Sequence, residues 1–214
     1  IWTMSEKAKL YSYWRSSCSW RVRIALELKG IEYEYIPVHL VKDGGEQLQD
    51  KYAAVNPMKA VPTFVDANGF QISQSGAIIE YLEEVYPGFP LLPKSPADRA
   101  TIRKLANTIG CDIQPVQNLR ILKAVGDEKK MEWGKRWIDE GFVALEKMLL
   151  TCAGTYSFGD NVTMADLYLV PQVYNANRFS VDMTKFPTIT RINAALQELP
   201  AFAKAEPSVM PDAQ

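Results

Sequence analysis

The chain has 214 residues, 47% of them hydrophobic and 23% charged, which excludes wholesale disorder and allows one or two domains with a buried core. Lysine and arginine number 24 and aspartate and glutamate 25, so the net charge of -1 offers no strongly basic surface for nucleic acid. No apolar stretch reaches the roughly 20 residues of a membrane span, and Glu6, Lys7 and Lys9 stand where a signal peptide needs apolar residues. We therefore expect a cytoplasmic protein that binds neither nucleic acid nor membrane.

The first third of the chain alternates between strand and helix patterns. A short aromatic strand is predicted at 10–14, and Ser16 or Ser17 can cap the helix that follows it and ends at Gly30. Apolar residues recur on one face of that helix at positions Cys18, Val22, Ala25 and Leu26. Residues 33–40 alternate like a strand, with a proline that suggests a sheet edge. This strand–helix–strand unit predicts two parallel strands.

The next part of the chain carries a turn signal and a third helix. A polar segment at 43–55 is expected to hold a short helix. Residues 63–66 and 70–72 flank Asn68-Gly69, a strong hairpin signal, so they predict two antiparallel strands. Ser75 begins another helix, whose apolar face consists of Ile78, Ile79, Leu82, Val85 and Tyr86.

Four closely spaced prolines follow that helix and predict a domain boundary, because proline interrupts both helices and central strands. Every pattern beyond them is helical in period, and Thr163 with Asp166 forms a capping box that predicts a helix start. One predicted apolar face there consists of Trp133, Trp137, Ala144, Leu145 and Met148. We expect a first domain at 8–88, an all-helical domain at 94–210, and a loose tail from Pro207.

Histidine and cysteine are too few for several familiar kinds of site. His39 is the one histidine, and its alternating surroundings favour a strand side chain over a catalytic base or a metal ligand. Cys18, Cys111 and Cys152 are odd in number and far apart, which is typical of reduced thiols rather than a disulfide framework or a zinc site. We expect no metal.

A segment at 16–26 reads Ser-Ser-Cys-Ser-Trp-Arg-Val-Arg-Ile-Ala-Leu and resembles the zeta class of glutathione transferases, the maleylacetoacetate isomerases. The resemblance covers nearly the whole chain. Further matching segments are Asn-Pro-Met-Lys-Ala-Val-Pro-Thr at 56–63, Gln74-Ser75, Ile-Gln-Pro-Val-Gln-Asn-Leu at 113–119, the stretch from Gly159-Asp160 to Asp166, and Phe-Pro-Thr-Ile at 186–189. It implies an α/β thioredoxin-like domain in the order βαβ-α-ββα, followed by a C-terminal helical bundle.

The same resemblance implies glutathione as cofactor, a homodimer, and a catalytic segment made of Ser16, Ser17 and Cys18. The residues that it places at glutathione are Ser16, Ser17, Cys18, Ser19, Trp20, Arg21, Gln47, Val61, Pro62, Gln74, Ser75, Gln114, Asn118, Leu119 and Arg120. It also implies a cis bond before Pro62, so that the backbone of Val61 faces the peptide ligand. Gln74 and Ser75 open a helix, whose N-terminus suits a carboxylate.

Physical chemistry supports a serine hydroxyl as the group that stabilises the thiolate of glutathione. A free thiol has a pKa of about 8.5, and lowering it by two units requires about 2.7 kcal/mol. A hydrogen bond to a charged partner supplies roughly 1.5–3 kcal/mol, and a helix N-terminus up to about 2 kcal/mol. One hydroxyl at a helix start therefore suffices without a histidine base. The alternative for Ser16 and Ser17 is plain helix capping.

Cys18 invites a redox interpretation, but the chain has no Cys-x-x-Cys motif, so the usual dithiol mechanism is excluded. The resemblance places Cys18 beside glutathione without replacing the serine, and a buried structural thiol is the alternative. Arg178 matches the arginine that binds the substrate's carboxylate in the family, and a surface charge near a helix end is its alternative.

The resemblance implies glutathione-dependent cis–trans isomerisation of maleylacetoacetate to fumarylacetoacetate in phenylalanine and tyrosine breakdown. The same thiolate would displace halide from small α-haloacids. Two other classes stay open: a general detoxifying transferase, and a transferase-like interaction module without catalysis.

Overall fold

The structure, a computed structural model, describes residues 7–214, so Glu6 of the argument against a signal peptide lies outside the described residues. Its contacts divide the chain into two compact units. One comprises 7–89 together with Ala201–Gln214, and the other comprises Pro90–Pro200. Within the described part of the chain, no helix is both long enough and apolar enough to cross a bilayer.

Carboxyl-terminal residues complete the first unit. Arg23 Nε donates to the carbonyl of Ala205 at 3.0 Å, and Asp212 Oδ2 accepts the N–H of Trp14 at 3.1 Å. Such contacts group residues 201–210 with the first unit, whereas the sequence pattern placed them with the helical domain. The tail was also predicted to be loose, and its anchoring through Asp212 corrects that expectation.

A four-stranded mixed sheet forms the centre of the first unit, in the order β2-β1-β3-β4. The strands are β1 (Ala8–Ser12), β2 (Tyr33–Pro37), β3 (Thr63–Val65) and β4 (Gln71–Ser73). β1 pairs with β2 in parallel and with β3 antiparallel, and β3 and β4 form the antiparallel hairpin. The predicted parallel pair, the edge position of β2 and the hairpin are therefore confirmed.

Helix α1 (Ser17–Lys29) connects β1 and β2 and is buried along most of its length. Ser16 caps its N-terminus, and Gly30 ends it in the left-handed conformation, with φ of 64°, that glycine adopts without strain. Its apolar side chains are inaccessible to solvent at Val22, Ile24, Ala25 and Leu26. The other helices of this unit are α2 (Asp50–Ala53) and α3 (Ser75–Val85), with short 3₁₀ turns at Lys42–Gly44, Glu46–Leu48 and Pro207–Val209.

The second unit is helical throughout its named elements. They are α4 (Pro96–Asn107), a π-helical turn (Thr108–Ile113), a 3₁₀ turn (Pro115–Gln117), α5 (Leu119–Val125), α6 (Lys130–Leu149), α7 (Met164–Arg178), a 3₁₀ turn (Met183–Lys185) and α8 (Pro187–Gln197), and α9 (Pro200–Lys204) starts at the unit's last residue. Side chains with no exposed surface form its core, among them Ile102, Phe142, Leu167, Ile189 and Ile192.

The predicted capping box opens α7, the most buried helix of this unit. Asp166 Oδ2 accepts the backbone N–H of Thr163 at 2.7 Å, and Asp166 Oδ1 accepts that of Ser157 at 2.9 Å. Burial raises the pKa of Asp166, although these donors favour its charged form. The motif is a structural device that fixes the start of α7.

Candidate functional site

Ser16 lies at the N-terminus of α1, in the short loop that leaves β1. Its Oγ accepts the N–H of Ser19 at 3.2 Å, and its own N–H donates to the carbonyl of Tyr13 at 2.9 Å. The side chain is partly exposed, and the first turn of α1 contains no acidic residue. A hydroxyl whose oxygen already accepts a bond keeps its proton available to donate outward.

The side chains of the four residues that follow Ser16 differ in their exposure to solvent. Cys18 is a free, partly exposed thiol in the first turn of α1. Ser17, Ser19 and Trp20 are buried, at 8%, 0% and 4% exposure. Cys18 therefore keeps an accessible side chain near Ser16, whereas Ser19 and Trp20 pack into the protein.

A second group of predicted residues precedes β3. The Val61–Pro62 bond is cis, as the family resemblance implied. Tyr52 Oη donates to the carbonyl of Ala60 at 2.8 Å, and Asn56 Nδ2 donates to the same oxygen at 2.7 Å. Both side chains hold the segment that leads into the cis bond.

Gln74 connects β4 to α3, and Ser75 is the first residue of α3. Gln74 has φ of 74°, a conformation that a residue with a side chain rarely adopts and that concentrates at functional sites. Ser75 is buried, and its Oγ accepts a hydrogen bond from Arg21 Nη1 at 3.4 Å. Two predicted ligand residues, one from α1 and one from α3, are thus in direct contact.

Gln47 belongs to the 3₁₀ turn Glu46–Leu48 and is 8% exposed. Its Nε2 donates to the carbonyl of Leu40 at 3.3 Å, so the side chain is fixed against its own loop. His39 lies in the same loop, two residues beyond β2 rather than inside a strand. Its Nδ1 accepts the N–H of Lys42 at 2.9 Å, which gives the imidazole a structural role there.

Four further predicted residues lie around the start of α5. Gln114 is 9% exposed, and Asn118 caps α5 with its Oδ1 accepting the N–H of Arg120 at 3.1 Å. Leu119 is the first residue of that helix. The 3₁₀ turn before α5 is anchored by Gln117, whose Nε2 donates to Gln172 Oε1 at 3.1 Å.

Arg178 is the last residue of α7 and is exposed. Its Nη1 donates to Asn175 Oδ1 at 3.2 Å, and its guanidinium carbon lies 5.6 Å from the centre of the Phe179 ring. Asn175 is only 5% exposed, so it orients the arginine from a fixed position. Sequence reasoning missed Asn175, although its spacing of three residues from Arg178 on a helix was a usable signal.

No cluster of three or more histidine, cysteine, aspartate or glutamate side chains suited to a metal ion occurs among residues 7–214. The chemistry available at these positions is that of hydroxyls, amides, one thiol, helix N-termini and the guanidinium groups of Arg21, Arg120 and Arg178.

Comparison with known proteins decides the family. A profile described as "Glutathione S-transferase, N-terminal domain" matches residues 6–84. The chain is 53% identical over 214 residues to the maleylacetoacetate isomerase of Dictyostelium discoideum, covering 98% of this chain and 97% of the relative. The chain belongs to the maleylacetoacetate isomerase family, the zeta class of glutathione transferases.

Solved structures of zeta-class proteins share the fold. A bacterial maleyl pyruvate isomerase superposes with a TM-score of 0.91 at 47% identity, covering 96% of this chain and all of that one. A maleylacetoacetate isomerase from Anaeromyxobacter dehalogenans 2CP-1, with bound dicarboxyethyl glutathione and citrate, superposes with a TM-score of 0.88 at 39% identity, covering 99% of this chain and 100% of that one.

The zeta-class resemblance read from residues 16–26 is therefore confirmed, together with the thioredoxin-like domain and the helical C-terminal part that it implied. The individual roles of the site residues stay predictions, carried by the geometry described above.

Proposed function

We propose that this chain is a glutathione-dependent isomerase that converts maleylacetoacetate to fumarylacetoacetate. The observation that carries the proposal is the partly exposed hydroxyl of Ser16 at the N-terminus of α1, in a chain 53% identical to a maleylacetoacetate isomerase. We further propose that the protein acts in the cytoplasm, as a homodimer, in phenylalanine and tyrosine breakdown.

The residues of the first unit fit glutathione, a short peptide with a thiol and two carboxylates. The Ser16 hydroxyl can donate to a sulfur anion because its oxygen already accepts from Ser19. The N-terminus of α1 adds partial positive charge with no acidic residue in the first turn to oppose it. When bound, glutathione supplies a sulfur that can add to the cis double bond and leave again, which permits rotation about the intervening single bond.

The remaining contacts hold the peptide in place. The backbone of Val61 next to the cis bond offers an N–H and a C=O for pairing with an extended peptide. Ser75 and the start of α3 suit the γ-glutamyl carboxylate, with Gln74 held beside them. Gln47 takes the other end of the ligand. Further contacts come from Gln114, Asn118, Leu119 and Arg120.

The second substrate is a dicarboxylate, and Arg178 supplies a cation for one of its carboxylates. Guanidinium pairs with carboxylate through two parallel hydrogen bonds, and Asn175 holds the group in one orientation. Citrate in the Anaeromyxobacter relative supports an anionic ligand of this kind. The same thiolate would displace halide from small α-haloacids.

A comparison of substrates tests the proposal. Purified protein is assayed for isomerisation of maleylacetone with and without glutathione, and in parallel for conjugation of a chlorinated aromatic. We expect rapid isomerisation that requires glutathione and slow conjugation. Conjugation alone would favour a general detoxifying transferase, and glutathione binding without either reaction would favour an interaction module.

A further inference from the structure

The loop that carries Ser16 is held by one side chain from α1 and one from the carboxyl-terminal tail. Arg23 has no exposed surface, and its donors reach the loop: Nη2 binds the carbonyl of Trp14 at 2.9 Å and Nη1 the carbonyl of Tyr13 at 3.3 Å. Burial lowers the pKa of Arg23 to about 10, so the guanidinium remains charged at neutral pH. A buried cation that binds carbonyl oxygens fixes those carbonyls firmly.

The carboxyl-terminal tail also contacts the loop that carries Ser16. Asp212 Oδ2 accepts the N–H of Trp14 at 3.1 Å, across 198 residues of sequence. Asp212 Oδ1 accepts the hydroxyl of Tyr35 at 2.7 Å, which anchors the carboxylate to strand β2. Both backbone polar groups of Trp14 are therefore held, its carbonyl by Arg23 and its N–H by Asp212.

We propose that Asp212 is a positioning residue for thiol activation, because it fixes the Trp14 peptide and through it the orientation of Ser16. The link is short: Ser16 lies two residues after Trp14, and its N–H is bonded to the carbonyl of Tyr13. If Asp212 is removed, the Trp14 N–H loses its acceptor and the loop gains freedom just before the cap of α1. Ser16 then presents its hydroxyl less consistently to the sulfur. This inference rests on the proposed role of Ser16.

Three variants separate positioning from bulk stability. Asp212→Ala removes both hydrogen bonds, and Asp212→Asn keeps an oxygen that can accept from Trp14. Tyr35→Phe keeps the bond to Trp14 and removes the anchor of the carboxylate, together with the hydrogen bond between the Tyr35 hydroxyl and Ser12. Glu206→Ala is the matched control, since it removes an exposed carboxylate from the same tail. The readouts are kcat and KM for glutathione with maleylacetone, and the pKa of the enzyme-bound glutathione thiol from the ultraviolet absorbance of its thiolate.

For Asp212→Ala we expect kcat to fall about five- to twentyfold and the pKa of the bound thiol to rise, with a smaller change in KM for glutathione. Asp212→Asn should recover part of the loss, Tyr35→Phe should show a weaker form of it, and Glu206→Ala should match wild type. Wild-type kcat and thiol pKa in Asp212→Ala would overturn the proposal, and so would a loss that Asp212→Asn does not relieve.

Hydrogen exchange of the ligand-free protein gives an answer independent of the reaction. Faster exchange of the Ser16 and Ser19 amides in Asp212→Ala than in Glu206→Ala supports positioning of the loop, and equal rates overturn it. If wild type does not isomerise maleylacetone with glutathione, the proposed function fails, and the exchange comparison still decides whether Asp212 holds the loop.

Discussion

Glu146 of α6 caps the N-terminus of α8 from 42 residues away, with its Oε1 accepting the backbone N–H of Thr188 at 2.7 Å. Its Oε2 accepts the N–H of Ile189 at 3.0 Å, so a single carboxylate satisfies two of the amides that a helix start leaves without intrahelical partners. The carboxylate also lies at the positive end of the helix dipole, which favours its charge.

Glu146→Ala should therefore lower the free energy of unfolding by about 2 kcal/mol, because the buried amide of Ile189 and the partly buried amide of Thr188 lose a charged acceptor. Glu146→Gln should cost less, since one amide oxygen remains. The control is Glu140→Ala, which removes an exposed partner of Arg136 on the same helix and should change stability by less than about 0.5 kcal/mol. Denaturant unfolding measures all three, and equal effects at 140 and 146 would contradict the capping role.

The carboxylate of Asp66 accepts hydrogen bonds from the turn of the β3–β4 hairpin. Burial opposes its charged form, but its oxygens accept the Tyr81 hydroxyl at 2.5 Å and the N–H groups of Asn68 and Phe70 at 2.8 and 2.9 Å. The donors outweigh burial and hold the pKa of Asp66 below its usual value.

A carboxyl group whose pKa is lowered by folding stabilises the protein above the pKa of the unfolded chain, about 3.9, and loses that contribution as pH falls through the folded value. Asp66→Asn should thus be less stable than wild type by about 1–2 kcal/mol at pH 7, with the difference shrinking below about pH 4. Urea unfolding between pH 7 and pH 3 measures it. A difference that stays constant with pH would show that charge is not the cause.

Ser16→Ala should nearly abolish isomerisation, because it removes the hydroxyl that caps α1. The chain's one histidine, His39, lies in the loop after β2, where its Nδ1 accepts the N–H of Lys42. Ser17→Ala is the matched control, since Ser17 is buried and should cost less. Steady-state kinetics with maleylacetone and glutathione test both, with circular dichroism to verify the fold. Wild-type activity in Ser16→Ala would refute the assignment.

Cys18 should be dispensable for the chemistry. Its thiol is partly exposed in the first turn of α1, next to the proposed position of the ligand. The chain has no Cys-x-x-Cys motif, so a dithiol redox mechanism is excluded. Cys18→Ala should keep substantial turnover with an altered KM for glutathione, while alkylating agents should still inhibit wild type. Complete loss of activity in a folded Cys18→Ala protein would make this thiol the nucleophile.

Local signals predicted much of this fold. The cap at Ser16, the Asn-Gly hairpin and the Thr163–Asp166 capping box each depend on residues within a few positions of one another. The buried face predicted for α6 was less accurate, because Ala144 is exposed and Trp133 and Trp137 are only partly buried. The apolar residues of α6 that are at most 1% exposed are Ile138, Phe142, Leu145 and Leu149. Large aromatic rings weighted the pattern towards the wrong side of the helix.

Long-range polar contacts lay beyond what one sequence can predict. Arg23 sits in an apolar helix segment and is fully buried, yet its partners Trp14 and Ala205 are identified only by the fold. Asp212 and Glu146 likewise meet groups 198 and 42 residues away. Composition and periodicity carry no information about such pairs, because they do not distinguish a carboxylate that binds a distant group from one that faces solvent.

Arg178 should bind the substrate's carboxylate and contribute little to glutathione binding. Lysine keeps the charge but loses the two parallel hydrogen bonds, so Arg178→Lys should raise the KM for maleylacetone moderately and Arg178→Ala more strongly. Loss of a charge-assisted bond of roughly 1.5–3 kcal/mol corresponds to about a 10- to 150-fold drop in kcat/KM. Asn175→Ala should give a smaller drop in the same direction, because it removes the hydrogen bond that orients the guanidinium.

Arg191→Ala is a suitable control, since it removes another exposed arginine of the same unit. The KM for maleylacetone and the dissociation constant of glutathione are measured for each variant. Glutathione affinity should barely change in Arg178→Ala, because most of the proposed glutathione contacts, among them Ser16, Val61 and Ser75, belong to the first unit. Weaker glutathione binding with normal isomerisation at saturating glutathione would instead assign Arg178 to the cofactor.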